Sequence, residues 1–138
     1  MVDIKLEHDY PVAADALWRI VADFTDMSWA GMGNMEIDGT GIGMLRKVEL
    51  GMPEPVVEQL LTLDNEQMSF SYAIVAGNPL PTSDYQAGAR VLVIDDKNCR
   101  LEWWCRCRVE GMSDADVAAI LSDSYTGLLE SLAGHLSV

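Results

Sequence analysis

"SDADVAAILSDSYTGLLESLAGHL", from Ser113 to Leu136, is the stretch on which the fold turns. Val117, Ile120, Leu121, Ser124, Tyr125, Leu128, Leu132 and Leu136 recur at helical spacing, so one face of a long helix is to be buried. Ser113 stands where an N-cap is needed, and Asp116 three residues on occupies the position of a capping-box acid. Asp114 and Asp116 also sit at the positive end of the helix dipole. This stripe is the largest hydrophobic surface in the chain, and it needs a partner of matching size.

The partner lies upstream. From Asn34 to Gly111 the pattern is β, with candidate strands Met35–Asp38, Ile42–Leu50, Val56–Asp64, Gln67–Ala76, Tyr85–Asp95 and Cys99–Glu110. "DNEQ" (64–67) and "DDKN" (95–98) are short polar hairpin turns, while "GNPLPTS" (77–83) is a loop restricted by two prolines. At the N-terminus "DIKLEHDY" alternates, placing Ile4, Leu6, His8 and Tyr10 on one face. Pro11 ends that strand. "AADALWRIVADF" carries Leu17, Ile20, Val21 and Phe24 at helical spacing, and "TDMSWAG" continues as a second short helical piece. Gly31, Gly33, Gly39, Gly41 and Gly43 then punctuate the chain. The order is strand, two short helices, six antiparallel strands and a long helix. A seven-stranded sheet cannot bury its apolar face alone, and the terminal helix can lie across it. A curved sheet around a helix leaves a hollow, the natural ligand site.

With 138 residues the chain suits one domain, residues 1–138. At 49% hydrophobic and 22% charged it has enough apolar material for a packed core. No apolar run approaches the roughly 20 residues that span a bilayer, and the first residues do not read as a secretory leader. A cytoplasmic location is expected. A net charge of −13 repels phosphate backbones, so nucleic acid is excluded as a partner class. Cys99, Cys105 and Cys107 are odd in number and closely spaced, which argues against a disulfide framework. They read as small core residues, and no metal site or cofactor is expected.

"RKVELGMPEPVVEQL", Arg46–Leu60, forms a hairpin around Gly51-Met52-Pro53. Pairing about Met52 sets Arg46 directly opposite Glu58 on one face, whereas a one-residue slip would separate them. Ile42, Met44, Val48 and Leu50 share the face of Arg46; Leu60 and Thr62 share that of Glu58. The alternation leaves open which face is inner. Arg46 reads either as an anion holder inside a cavity or as half of a structural ion pair. Glu58 reads as a polar anchor, or as a base if desolvated.

Four stretches, in this order and spacing, resemble the helix-grip superfamily, which includes START domains, Bet v 1-like allergens, bacterial polyketide cyclase/dehydrase-like and lipid-transport proteins, and plant abscisic acid receptors. They are "ALWRIVADF" (16–24), "GTGIGMLRKVEL" (39–50), "EQLLTLDNEQMSFSY" (58–72) and "NPLPTSDYQAGARV" (78–91). The resemblance covers essentially the whole chain and implies an α+β helix-grip fold. It implies that Arg46, Val48 and Glu58 line the cavity, with "LGMPE" a gate and "GNPL" a latch at its mouth. Leu50-Gly51-Met52-Pro53-Glu54 stands where the hormone receptors have Ser-Gly-Leu-Pro-Ala, and Asn78-Pro79 lacks their latch histidine, so hormone sensing is not carried over.

Tyr72, Tyr85 and Tyr125 fall at pocket-lining positions of the family, and each phenol is a candidate donor to a ligand oxygen or a core residue. Ile74 alternates with Tyr72, and Ala87 with Tyr85. Leu80 belongs to the latch, and Leu121 and Leu128 to the helix stripe. Trp103 points inward from "LEWWCRCR" and offers a flat wall, while Trp104 with three arginines forms an outward cation–aromatic ladder. Trp29 covers the mouth or closes the core. His8 is the imidazole expected near the cavity. Arg46 and Glu58 are the catalytic candidates. No nucleophile elbow, phosphate loop or zinc motif is present. The expected function is binding of a small hydrophobic or aromatic, polyketide-like or lipid-like molecule, with cyclisation or dehydration through an enolate as the candidate chemistry. A non-catalytic carrier or sensor, and a co-chaperone-like interaction module, are the alternatives. An oligomer is possible but not indicated.

Overall fold

A computed structural model describes residues 1–32 and 35–137. The expected turn at Gly33 and the Asn34 start of the β region lie outside the described residues. The elements run β1 (Val2–Tyr10), α1 (Ala14–Val21), a 3-10 turn (Ser28–Ala30), β2 (Met35–Asp38), β3 (Leu45–Val48), β4 (Val56–Asp64), β5 (Ser69–Ala76), β6 (Thr82–Asp95), β7 (Asn98–Val109) and α2 (Asp114–Leu136). This is the expected helix-grip order. The strands form one antiparallel seven-stranded sheet in the order β1-β7-β6-β5-β4-β3-β2. The helix α2 lies across the β1–β7 side and meets the 3-10 turn, while α1 packs against β6 and β7.

Local chemistry accounts for the ends of α2. The Ser113 side chain accepts from the Asp116 N–H at 3.1 Å, so the cap expected from sequence forms. The buried stripe differs from expectation. Val117, Leu121, Tyr125, Leu129 and Leu132 are buried, whereas Ile120 is 42% exposed and Ser124 is exposed. The helix has two inward rows: one packs on the sheet, and the other, Ile120, Ser124 and Leu128, looks into the hollow. Leu129 belongs to the packing row, and its carbonyl accepts from the Tyr10 hydroxyl at 2.7 Å. That bond joins β1 to α2. On the other side, Trp18 of α1 donates through Nε1 to Asn65 Oδ1 at 3.1 Å, fixing α1 to the β4–β5 turn.

Bulges shape the sheet. The β4–β5 register shifts between Leu60 and Thr62, leaving Leu61 as an extra residue. Thr62 then pairs with Ser71 and Leu63 with Phe70, so Thr62 is on the opposite face from Leu60 and Glu58, not the same one. A second shift near Val57 adds Val75 on β5. A third, between Ser83 and Gln86, coincides with Asp84 at φ +52°. Each bends its strand and increases local twist, which curls the sheet around α2. The strand expected over Ile42–Leu50 is shorter. Gly39–Met44 forms a turn, and Ile42 is 61% exposed.

The outer face of β6 and β7 corrects another expectation. Gly88 gives Trp104 its seat: a Cβ there would come within 2.8 Å of the Trp104 ring and 2.5 Å of the Phe70 carbonyl oxygen. Arg106 alone stands over Trp104, with its guanidinium 5.7 Å from the ring. Arg100 instead pairs with Asp9 at 2.7 Å and Arg108 with Asp84 at 3.4 Å, because opposite charges face them across the strands. A three-arginine ladder does not form.

Cys99, Cys105 and Cys107 are free and buried on the inner face. Burial, the main cause, pushes the Cys99 thiol up to about 11 and the Cys105 thiol up to about 12. The folded chain therefore keeps these protons where the unfolded chain loses them. Their stabilising contribution is present below the ordinary thiol value of 9.0 and is lost as pH rises above it. Two results are expected: no reaction of the native thiols with a disulfide reagent at mildly alkaline pH, and a urea midpoint that falls once pH exceeds 9.0. Rapid native labelling of all three thiols would show that the inner face is open to solvent.

Candidate functional site

The concave face of the sheet, α2 and the 27–32 segment line a partly open cavity of about 440 Å³. The hairpin register places Arg46 of β3 directly opposite Glu58 of β4, as pairing about Met52 requires. Their face is the inner one. Arg46 is 2% exposed and the Glu58 side chain 13%. Arg46 Nε donates to Glu58 Oε1 at 2.6 Å, and Nη1 donates to the Phe24 carbonyl at 3.2 Å. The guanidinium lies 3.8 Å from the Phe24 ring centroid and 5.2 Å from that of Tyr72. Phe24, just beyond α1, thus holds the cation from one side by its ring and by its carbonyl. No protein acceptor is assigned to Nη2 among the described residues.

Tyr72 of β5 continues the wall, and Tyr85 of β6 and Tyr125 of α2 bring their hydroxyls into contact. The bulge at Asp84 directs Tyr85 inward, and its hydrogen bond with Tyr125 links sheet to helix. Burial, with the Glu58 carboxylate adding to it, holds the Tyr72 phenol well above its ordinary range. Burial is also the leading cause of the upward shift of Tyr85. Both hydroxyls are therefore protonated at neutral pH and can donate. Val48, Ile74, Leu80, Trp103, Leu121 and Leu128 supply apolar lining. Trp103 is 1% exposed and fixed among Phe70, Tyr72 and Tyr125.

Two expected lining residues lie elsewhere. Trp29 is buried outside the cavity lining, with its ring centroid 6.0 Å from that of Trp103, and its carbonyl accepts from Ser131 Oγ at 2.9 Å. Trp29 therefore closes the core and ties the 3-10 turn to α2. Ala87 is wholly buried beneath neighbouring side chains and does not reach the hollow. His8 is not near the cavity either. Its ring packs against that of Tyr10, centroids 4.4 Å apart and planes tilted by 30°, and β1 lies at the far edge of the sheet from β3. Sequence reasoning missed Met27, Ala30 and Met32, which close one side, and the α2 row Ile120, Ser124 and Gly127. The helix row was legible as positions one turn-edge away from the packing stripe. The methionine segment carried no periodic signal.

At the mouth, the 77–81 loop packs against the β3–β4 turn. Gly77 has φ +72°, and a Cβ there would lie 1.9 Å from the Pro55 carbonyl oxygen. Asn78 orders the loop by accepting from the Leu80 N–H at 3.0 Å and donating to Thr82 Oγ1. Gly77→Ala is expected to cost about 1–3 kcal/mol through strain and forced displacement. It is also expected to shift amide resonances of both loops; spectra changed at residues 77–81 alone would show that the loops are not in register.

The inward polar groups are one ion pair and three phenols, with Asn78 and Ser124, in a mainly apolar chamber, an arrangement that can hold an apolar molecule by an oxygen. No helix of the described residues is long and apolar enough to cross a membrane. Among curated proteins none matches the chain. The fold is shared with XoxI from Bacillus cereus (TM-score 0.86, 16% identity, 96% of this chain and 93% of that one). It is shared with Ara h 8.0201 (TM-score 0.79, 16% identity, 99% and 98%). It is also shared with norcoclaurine synthase from Thalictrum flavum, in complex with dopamine and hydroxybenzaldehyde (TM-score 0.73, 16% identity, 97% and 85%). By sequence, residues 1–137 match the family described as polyketide cyclase / dehydrase and lipid transport, and the chain belongs to that family.

Proposed function

We propose that the protein binds a small hydrophobic or aromatic molecule in the cavity between sheet and α2, holding an oxygen of that molecule with Arg46 and the tyrosine hydroxyls. One observation carries it. A chamber of about 440 Å³ has apolar walls, yet a charged pair and phenols face into it. A buried ion pair is weak support for stability in itself, so its place on a cavity wall favours a use. The likeness to a synthase that holds two small aromatic molecules in the same fold supports the size and type of ligand.

The chemistry the residues suit is removal of a proton from carbon beside a carbonyl. Glu58 takes the proton from the C–H bond, the electron pair moves into the carbonyl, and Arg46 faces the enolate oxygen. Ring closure or loss of water would follow from that enolate. The 2.6 Å bond from Arg46 Nε to Glu58 Oε1 favours a second reading, since it already engages one oxygen of the carboxylate that would act as base. In that reading the cavity carries its ligand without transforming it.

Native mass spectrometry of protein purified from its own host tests binding. A mass adduct is expected, and it is expected to weaken in Leu128→Trp, which narrows the chamber. Purified chain with no adduct and no uptake of Nile red would refute the proposal. Exchange of deuterium from the carbon beside the carbonyl of a bound ketone separates the two readings: an enzyme accelerates it and a carrier does not.

A further inference from the structure

We infer that the ligand is uncharged and presents a neutral acceptor oxygen to Arg46, and that the cavity discriminates against the corresponding carboxylate. The inference rests on the ligand-binding function proposed above and names the charge class of what is bound. Among the described residues that line the cavity, Arg46 is the only cation and Glu58 the only anion. At 2.6 Å they neutralise one another, so the chamber has a formal charge of zero. The guanidinium is also engaged by the Phe24 carbonyl and by the Phe24 and Tyr72 ring faces. What remains for a ligand is N–H donors on Nη1 and Nη2, not an unpaired positive charge.

A ketone, aldehyde, ester or alcohol oxygen needs only such a donor. A carboxylate brings a charge that nothing in the chamber offsets. It would sit beside Glu58, between apolar walls that screen it poorly, in a chain of net charge −13. Accepting it requires Glu58 to gain a proton or to leave Arg46. The phenols do not change the balance, because burial keeps Tyr72 and Tyr85 in their neutral forms.

The same inventory fits the proton transfer. When a neutral ketone gives its proton to Glu58, the enolate gains the charge that the carboxylate loses, and Arg46 remains cationic. The sum is zero before and after. A carboxylate ligand would occupy the same cation from the start and leave the enolate without one.

Two naphthalene probes of like size test the inference: acetonaphthone, neutral, and naphthoate, anionic. Affinities are read at neutral pH by displacement of Nile red, a neutral dye. Wild-type protein is expected to prefer acetonaphthone by at least about tenfold, since an uncompensated charge in a weakly screened site is costly. Glu58→Gln keeps an acceptor for Arg46 Nε but removes the negative charge. It is expected to raise naphthoate affinity relative to that of acetonaphthone by about tenfold or more. Ser124→Lys adds a cation to the lining from an exposed helix position, and it is expected to favour naphthoate in the same way should Glu58→Gln not fold. Equal or preferred binding of naphthoate by wild type overturns the inference, as does an unchanged preference in both variants. Nile red bound but displaced by neither probe also overturns the inference, whereas failure of Nile red itself to bind overturns the ligand-binding function.

Discussion

Glu58→Ala is expected to lower the unfolding free energy by about 3 kcal/mol, within the range for breaking a buried ion pair. Arg46 is 2% exposed in the wild-type chain and held by Phe24 on one side, and the variant removes its main counter-charge. Because the Glu58 side chain is 13% exposed, water can partly replace it, which places the loss at the lower end of that range. The melting temperature is expected to fall on the order of 10 °C for a domain of this size. Arg46→Met/Glu58→Leu removes both charges and fills similar volume, so it is expected to recover to within about 1 kcal/mol of wild type. Urea unfolding of the single and double variants, read as a cycle, checks this. A double variant as unstable as the single would mean that the pair contributes specific packing that apolar side chains do not replace.

Trp103→Ala is expected to cost about 3–5 kcal/mol, the usual range for removing a buried aromatic side chain. The ring is 1% exposed and lies 5.7–6.4 Å, centroid to centroid, from Trp29, Phe70, Tyr72 and Tyr125. It is the point where the core under α1 and the wall of the cavity meet. Removing it joins the new hole to the existing chamber. A larger apolar ligand is therefore expected to bind the variant and restore part of its stability, by linkage. Denaturant unfolding with and without such a ligand measures both effects. A loss below about 1 kcal/mol would show that Trp103 is a loosely packed wall.

The buried pair has a consequence for how the two functional readings are weighed. An ion pair that served stability alone would be replaceable by apolar residues without loss of function. Comparing the stability cycle with the probe affinities therefore separates support of the fold from recognition of a ligand. A double variant that is stable but blind to the carbonyl of acetonaphthone would assign the pair to the ligand.

Much of this was legible in residues near one another. The cap at Ser113, the hairpin about Met52 and the β1 alternation through Tyr10 each depend on a few neighbouring side chains, and each forms as the pattern requires. The opposition of Arg46 and Glu58 followed from the turn, because pairing is symmetric about it. Other features were not legible because they depend on breaks in periodicity. The extra residue at Leu61 reverses the facing of Thr62, and the bulge at Asp84 directs Tyr85. Nothing in the local composition announces either. Leu129 was missed because two inward rows on α2 merge into one broad stripe when read by spacing alone. His8 lies on an apolar face, as expected, yet that face belongs to the sheet edge remote from β3.

By itself the sequence determined the elements, their order and the one-to-one opposition of the charged pair, since period and turn chemistry act over a few residues. Tertiary structure alone decided that the pair looks inward, that Trp29 and Ala87 fall behind the lining, and that the 27–32 segment closes the chamber. The reason is that facing and enclosure are set by where bulges bend the sheet and by which surfaces meet across more than a hundred residues of chain, as Tyr10 meets Leu129 and Trp29 meets Ser131.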